Sequence, residues 1–257
     1  MHEESAMVSA DPKADFSAGV FLIDKPVGPT SFGIVRQLRK LLGIKKVGHA
    51  GTLDPFASGL LIVCAGRAAT KMISLFMDGE KEYLATLCLG KKTTTLDPEG
   101  ELVGETVVGF RSAAEIEKCL AGFRGEQMQK PPMYSALKHK GKPLYHYARQ
   151  GIEIEKAPRA ITIRELVRID GNGDVEGDFP ELRLRVVCSK GTYIRTLAAD
   201  IGDVLGCGAY LTGLRRTKIG PFSVEKAIDG NLLPMIEERD NVLAGMLSVE
   251  DVANLLQ

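Results

Sequence analysis

The longest uninterrupted apolar stretch in the chain, Gly59 to Gly66 (GLLIVCAG), is eight residues long. A membrane-crossing helix needs about 20 such residues, whereas a strand buried on both faces needs roughly four to eight. The core must therefore be assembled from many short elements. Gly19 to Asp24 (GVFLID) reads as one buried strand, ended by Lys25-Pro26 and the Gly28-Pro29 turn. Thr30 or Ser31 then caps a helix. Its apolar face is Ile34, Val35, Leu38, Leu41 and Leu42, its polar face carries Arg36, Arg39 and Lys40, and Gly43 closes it. Residues 44–58 are rich in glycine and polar side chains and read as a loop. Leu60 to Cys64, Tyr83 to Leu89 and Glu101 to Val108 read as further strands. Ser112 and Glu115 form a capping box for a helix ending near Phe123. Arg159 to Asp170 and Leu182 to Val187 alternate like strands, Thr192 to Leu205 reads as a helix, and short helices follow Asn231.

These elements lack the regular strand–helix alternation of a parallel α/β fold, and several strands are close enough for hairpins. The fold class expected is α+β, with a mixed, largely antiparallel central sheet and flanking helices. No GxGxxG follows a strand and no GxxxxGK[ST] occurs, so nucleotide cofactors lack support. No period of tens of residues repeats, apart from a short echo: TLDP stands at 52–55 and again at 95–98.

The formal net charge is zero, but it is unevenly spread. Residues 1–18 carry −3, residues 223–257 carry −5, and residues 19–222 carry +8. The expected organisation is an acidic N-terminal tail (1–18), a basic body (19–222) and an acidic, helical C-terminal extension (223–257). A basic body attracts polyanions whatever the total. Five cysteines with long spacings and no CxxC argue against a disulfide framework or a zinc site, and for a reducing cytoplasm. The N-terminus has no basic segment followed by an apolar one, so no secretory signal is expected.

Four segments carry candidate chemistry. In GHAGTLDPFASGLL (48–61), Gly48 and Gly51 let the backbone bend closely against a ligand, and Pro55 pushes Asp54 towards an extended conformation. Asp54 is a nucleophile or general base on this reading, and a turn cap on the simpler one; spacing alone favours the turn. In SKGTYIRTL (189–197), Thr192 caps a helix whose first turn holds Tyr193 and Arg195, an arginine able to pair with a carboxylate or merely to face solvent. Tyr83, in Lys81-Glu82-Tyr83, is weak alone. In QKPPMYSALKHKGKPLYHYAR (129–149), Lys130, Lys138, Lys140, Lys142 and Arg149 alternate with Tyr134, Tyr145 and Tyr147 without any acid. Cations that follow phosphates, beside aromatic faces that stack on bases, suit a single-stranded or looped RNA, and the simpler reading is a solvated basic loop.

From Gly19 to Pro221 these segments, with GVFLIDKPVGPTS, PPMYSALKHKGKPLYHYARQG and LGCGAYLTGLRR, resemble in order the tRNA pseudouridine-55 synthases, the TruB family. The resemblance implies a pseudouridine synthase catalytic domain over 19–222 that isomerises a uridine in the T-arm loop of tRNA, with no cofactor and no metal. It implies Asp54 as the reacting carboxylate, Arg195 as its partner, and Tyr83 packed on the target base and available for proton transfer. It implies that His49 enters the space left by the flipped nucleotide, that Tyr193 and Leu214 line the uracil pocket, and that Lys25 belongs to its wall. Gly51, Lys130, Tyr134 and Lys138 complete the expected RNA contacts. Asp97, the second Asp of the echo, is assigned to a hairpin turn, since it lacks the GHAG loop before it. Many members carry a C-terminal PUA-type domain for which 223–257 leaves no room. The alternatives are a synthase acting on another RNA, or a tRNA-binding and folding factor without essential catalysis. The partner expected is tRNA, with no membrane and a monomer as the default.

Overall fold

The computed structural model describes residues 16–135, 137–148, 150–152, 154 and 156–256. Most of the expected N-terminal tail lies outside them. In chain order the elements begin with β1 (Gly19–Lys25), α1 (Ser31–Leu42), β2 (Val47–Ala50), β3 (Ser58–Ala65), α2 (Arg67–Thr70) and α3 (Ile73–Asp78). Next come β4 (Lys81–Leu89), β5 (Lys91–Thr93), β6 (Leu102–Glu105), β7 (Val108–Arg111), α4 (Ala113–Gly122) and β8 (Gly125–Gln129). They are followed by β9 (Lys138–His139), β10 (Lys142–Pro143), α5 (Leu144–Ala148), β11 (Arg159–Arg168), β12 (Val175–Gly177) and β13 (Glu181–Cys188). The chain continues through α6 (Ile194–Val204), β14 (Ala209–Ile219), β15 (Phe222–Ser223) and β16 (Ile228–Asp229), then α7 (Arg239–Ala244) and α8 (Val249–Leu255).

One mixed sheet, in the order β16-β1-β3-β14-β4-β13-β11-β8, organises the molecule; β2 also pairs with β3, and β15 with β14. Only β1–β16 and β3–β14 run parallel within it. The sheet has two differently built halves. On β1, Phe21 and Ile23 face one core with α1, Leu233 and Val242, while Val20 and Leu22 face another with Phe76, Phe222 and Val252. Being covered on both sides, the strand needs the unbroken apolar run seen in GVFLI. On β4, Tyr83, Ala85, Leu87 and Leu89 join the core formed with α4 and α6, while the alternate residues Leu84 and Thr86 are half-buried. That half is covered by helices on one face, so its strands alternate.

Local signals account for the element ends. Thr30 caps α1 through a bond from the Gly33 amide at 2.9 Å, a contact worth about 1 kcal/mol. Gly43 ends α1 with φ +69°, which favours a residue without Cβ. The Ser112–Glu115 capping box starts α4 as expected. Four expectations need correction. β2 lies inside the stretch read as loop, because pairing with β3 from Val47↔Ala65 to Ala50↔Ile62 overrides its glycine-rich composition. The segment 101–108 divides between β6 and β7. The α6 cap is Tyr193 rather than Thr192, whose hydroxyl instead donates to the Ser189 carbonyl. β14, at the centre of the sheet, was not foreseen; register shifts at Leu211/Gly213 and Arg216/Lys218 break the alternation that would have marked it.

The acidic C-terminal segment packs on the sheet: β16 extends it beside β1, and Leu233, Val242 and Val252 are buried in the two cores flanking β1. No helix among the described residues is long and apolar enough to cross a membrane.

Candidate active site

Asp54 sits in the turn between β2 and β3, and its backbone neighbours are held on all sides. The Ser31 hydroxyl accepts from the Leu53 amide at 2.8 Å and donates to the Leu53 carbonyl at 2.9 Å. The Gly28 amide donates to the Pro55 carbonyl at 2.8 Å, and the Ala57 amide to the Asp54 carbonyl at 3.1 Å. Leu53 and Ala57 are buried in the α6-side core. The turn is thus pinned from β1–α1 on one side and from the second half on the other, and the Asp54 side chain, 35 % exposed, remains open to the cleft.

Lys25 is placed differently from the wall position the resemblance implied. Its side chain is fully buried beneath the turn, and its ammonium donates to the carbonyls of Ala57 at 2.6 Å, Pro26 at 2.8 Å and Pro55 at 3.4 Å. A cation so occupied braces the Asp54 loop from below and has no donor to spare for RNA. Burial lowers its pKa to about 8, with Asp54 acting in the opposite direction.

Arg195 projects from the first turn of α6. Its Nε lies 3.1 Å from Asp54 Oδ2. Its Nη1 donates to Asp97 Oδ2 at 2.7 Å and to the Thr95 carbonyl at 3.0 Å, and its Nη2 donates to the Tyr134 carbonyl at 2.6 Å. The guanidinium therefore bridges two carboxylates. The expectation for Asp97 holds for its backbone, which lies in the β5–β6 hairpin. Its side chain, on which the sequence reading made no statement, is 2 % exposed and turned into the site. Asp97 Oδ1 accepts from the Glu99 amide at 3.0 Å and from the Thr95 hydroxyl. With its oxygens occupied, Asp97 orients Arg195, while Asp54 keeps access to the cleft. The TLDP echo was the signal for this pair.

A cleft of about 760 Å³ opens over these groups, lined among others by Gly51, Asp54, Lys81, Tyr83, Tyr193, Leu214, Arg195 and Arg216. Burial raises the Asp54 pKa; Arg195 opposes that shift and Asp97 reinforces it. Burial also raises the phenol pKa of Tyr83, against the pull of Arg216. The Gln129 side chain clamps the cap residue Tyr193, accepting from its amide at 2.8 Å and donating to its carbonyl at 3.1 Å. Gly51 takes φ +80°, a conformation a side chain would strain.

The structure thus brings Asp54, Arg195, Tyr83, Tyr193, Leu214 and Gly51 to one cleft. His49, half-buried on β2, is outside its lining; burial, then the nearby Arg216 cation, lowers its pKa, which favours a neutral ring. Tyr134 contributes its carbonyl to Arg195. Lys130 is exposed at the end of β8, and Lys138 enters β9 by its backbone, its side chain lying outside the described residues. Asp97, Arg216, Gln129 and Ser31, which hold the geometry of the site, are positions to which sequence reasoning gave no part in it.

The N-terminal domain of the TruB family pseudouridylate synthases matches residues 39–194, and the tRNA pseudouridylate synthase B C-terminal domain matches residues 195–247. The chain belongs to the TruB family. It is 64 % identical over 95 % of its length, and 98 % of the relative's, to a tRNA pseudouridine synthase B of Desulfotalea psychrophila. A tRNA pseudouridine synthase B of Chlamydia trachomatis is 46 % identical, over 84 % of this chain and 86 % of its own. Among solved structures, a Cbf5-Nop10-Gar1 complex aligns with TM-score 0.67 at 29 % identity, covering 92 % of this chain and 62 % of the other. The TruB N-terminal match spans Asp54, Tyr83 and Asp97, and the C-terminal match begins at Arg195. The Asp54–Arg195 pair thus joins the two matched segments.

Proposed function

We propose that this TruB-family chain isomerises uridine-55 in the T-arm loop of tRNA to pseudouridine, with Asp54 as the reacting carboxylate. The observation that carries this reading is the Asp54–Arg195 pair at 3.1 Å, open to a cleft that also presents Tyr83, Tyr193 and Leu214. The reaction breaks the bond from ribose C1′ to N1 of uracil, turns the base and joins C1′ to C5. C5 loses its proton and N1 gains one, so atoms and electrons balance without an added reactant. The nucleotide must leave its stacked position first, at a cost of a few kcal/mol. Arg195 favours the ionised form of Asp54 against the effect of burial. Tyr83 and Leu214 offer apolar surface to the extruded base, and the wall they form limits water at a reacting sugar.

Two features support an RNA of folded shape as substrate. A second, basic groove of about 730 Å³ is lined by Arg39, Lys45, Lys46, Arg67 and Lys71. It adjoins the cleft through β2: Gly48 lines the groove, and Ala50 lines the cleft. The relatives named above are tRNA pseudouridine synthases. The test is tritium release from a [5-³H]uridine-labelled tRNA transcript, wild type beside Asp54→Asn, with the modified position mapped. Release that requires Asp54 and maps to the T loop is expected. Binding without release by the wild type would instead make the chain a tRNA-folding factor, and release mapping elsewhere would make it a synthase for another RNA.

A further inference from the structure

Arg216 is among the largest side chains that the fold buries, at 2 % exposure. A guanidinium keeps its charge under ordinary conditions, and burying one costs several kcal/mol unless its donors are met. No ion pair among the described residues includes Arg216. Backbone carbonyls meet it instead: Nε donates to Leu60 at 2.8 Å and Nη2 to Gly51 at 3.1 Å. Leu60 belongs to β3, and Gly51 begins the loop that leads to Asp54. The remaining nitrogen, Nη1, lies over Gly51, 3.4 Å from where a Cβ would stand. On its other side, the β14–β4 register sets Arg216 directly opposite Tyr83, and both residues line the cleft. The positive charge beside the Tyr83 phenol opposes the rise in pKa that burial imposes on it.

A guanidinium only donates, so a phenol oxygen facing it across the β14–β4 pairing is met by a donor and not by a competing acceptor. We propose that Arg216 is a positioning residue for the isomerisation: bonded to the backbone where the Asp54 loop begins and set opposite Tyr83, it fixes the loop and the phenol relative to one another. Arg216 acts through Tyr83 and the loop and need not touch the base. Arg195 and Arg216 then divide the work: the first sets the carboxylate, the second sets the phenol.

The inference rests on Asp54 and Tyr83 being the reacting groups proposed above, and Asp54→Asn in the same assay tests that reading separately. The decisive measurement is a double-mutant cycle of Arg216→Gln and Tyr83→Phe, read as the single-turnover rate of tritium release at saturating tRNA, with tRNA affinity and thermal unfolding measured alongside. Arg216→Gln is expected to lower the rate at least about tenfold, to change affinity less than about threefold, and to add no more than about twofold in the Tyr83→Phe background. Losses that multiply in the double variant would overturn the proposal, as would a loss confined to affinity or an unchanged rate. Arg216→Lys, which keeps the charge but not the planar fork, repeats the cycle if the glutamine variant does not fold. If neither variant folds, Arg216 is a strut of the sheet and the assignment fails.

Discussion

The surroundings of Asp54 act on its ionisation in opposite directions. Burial raises its pKa, Arg195 and Lys25 pull it down, and Asp97 raises it again. If the carboxylate reacts as the anion, the rate falls as pH falls through that raised pKa. The acid limb of single-turnover tritium release therefore lies above the usual aspartate value of about 3.9. Asp97→Asn removes one of the charges that raise Asp54, so the limb moves to lower pH in that variant. Its plateau rate also drops, because Arg195 loses the carboxylate held at 2.7 Å. Breaking this buried pair costs about 3 kcal/mol of stability, measurable by urea unfolding. An unshifted limb would mean that Asp97 does not act on Asp54. Lys25 gives a separate pH signature. Its folded-state pKa of about 8 lies below the ordinary lysine value of 10.5. Between those values the unfolded chain binds more protons, so this residue's contribution to stability rises with pH and is lost as pH falls through about 8. Lys25→Met removes that dependence. The stability of wild type relative to the methionine variant is expected to increase from pH 8 to pH 10 in paired urea titrations; a constant difference would count against it.

The elements meet at the short parallel seam between β3 and β14, which is where the cleft forms. Gly59 on β3 has φ +101°, and a Cβ there would stand 2.2 Å from the Arg216 carbonyl oxygen. Gly59→Ala must push β14 away, taking with it the strand that carries Leu214 and Arg216. A loss above about 3 kcal/mol is expected, with activity lost together with the fold. Gly122→Ala, on the last turn of α4 with open space around it, is the contrasting substitution and should stabilise by up to about 1 kcal/mol. Thermal unfolding of the two variants separates the effects; equal melting temperatures would show that the seam yields to the methyl group. The same seam explains what could be read from the sequence. β1, β3 and α1 were legible because burial on two faces, or on one helical face, imposes a continuous or a regularly spaced apolar pattern. β14 was not, because its register shifts and the adjacent Arg215 and Arg216, one paired with Asp24 and the other lining the cleft, interrupt the pattern that would mark a central strand. Asp54 and Arg195 were recognised through their motifs. Asp97 and Arg216 are defined by contacts with residues far away in the chain, and no local period reports those.

At the scale of the molecule, charge is sorted rather than absent. The C-terminal segment, net −5, packs along β1, whereas the cations of α1, the β2 approach and α2 converge on the basic groove. β2 contributes to both, Gly48 to the groove and Ala50 to the cleft, so an RNA seated over Asp54 is expected to lay phosphates against the cations of the groove, Lys46 and Lys71 among them. Phosphate contacts of this kind release counterions, and each contributes about 0.7–0.9 to the slope of log affinity against log salt. Lys46→Ala with Lys71→Ala removes two such cations far from the reacting groups. The slope for tRNA binding is expected to fall by about one to two, with affinity weakened at every salt concentration and the single-turnover rate at saturating tRNA changed less than about twofold. Filter binding from low to moderate salt, paired with tritium release, distinguishes the outcomes. An unchanged slope would place the phosphates elsewhere. A fallen saturated rate would mean that the groove shapes the RNA for extrusion of the base as well as holding it, because a contact that only grips is recovered by adding more tRNA.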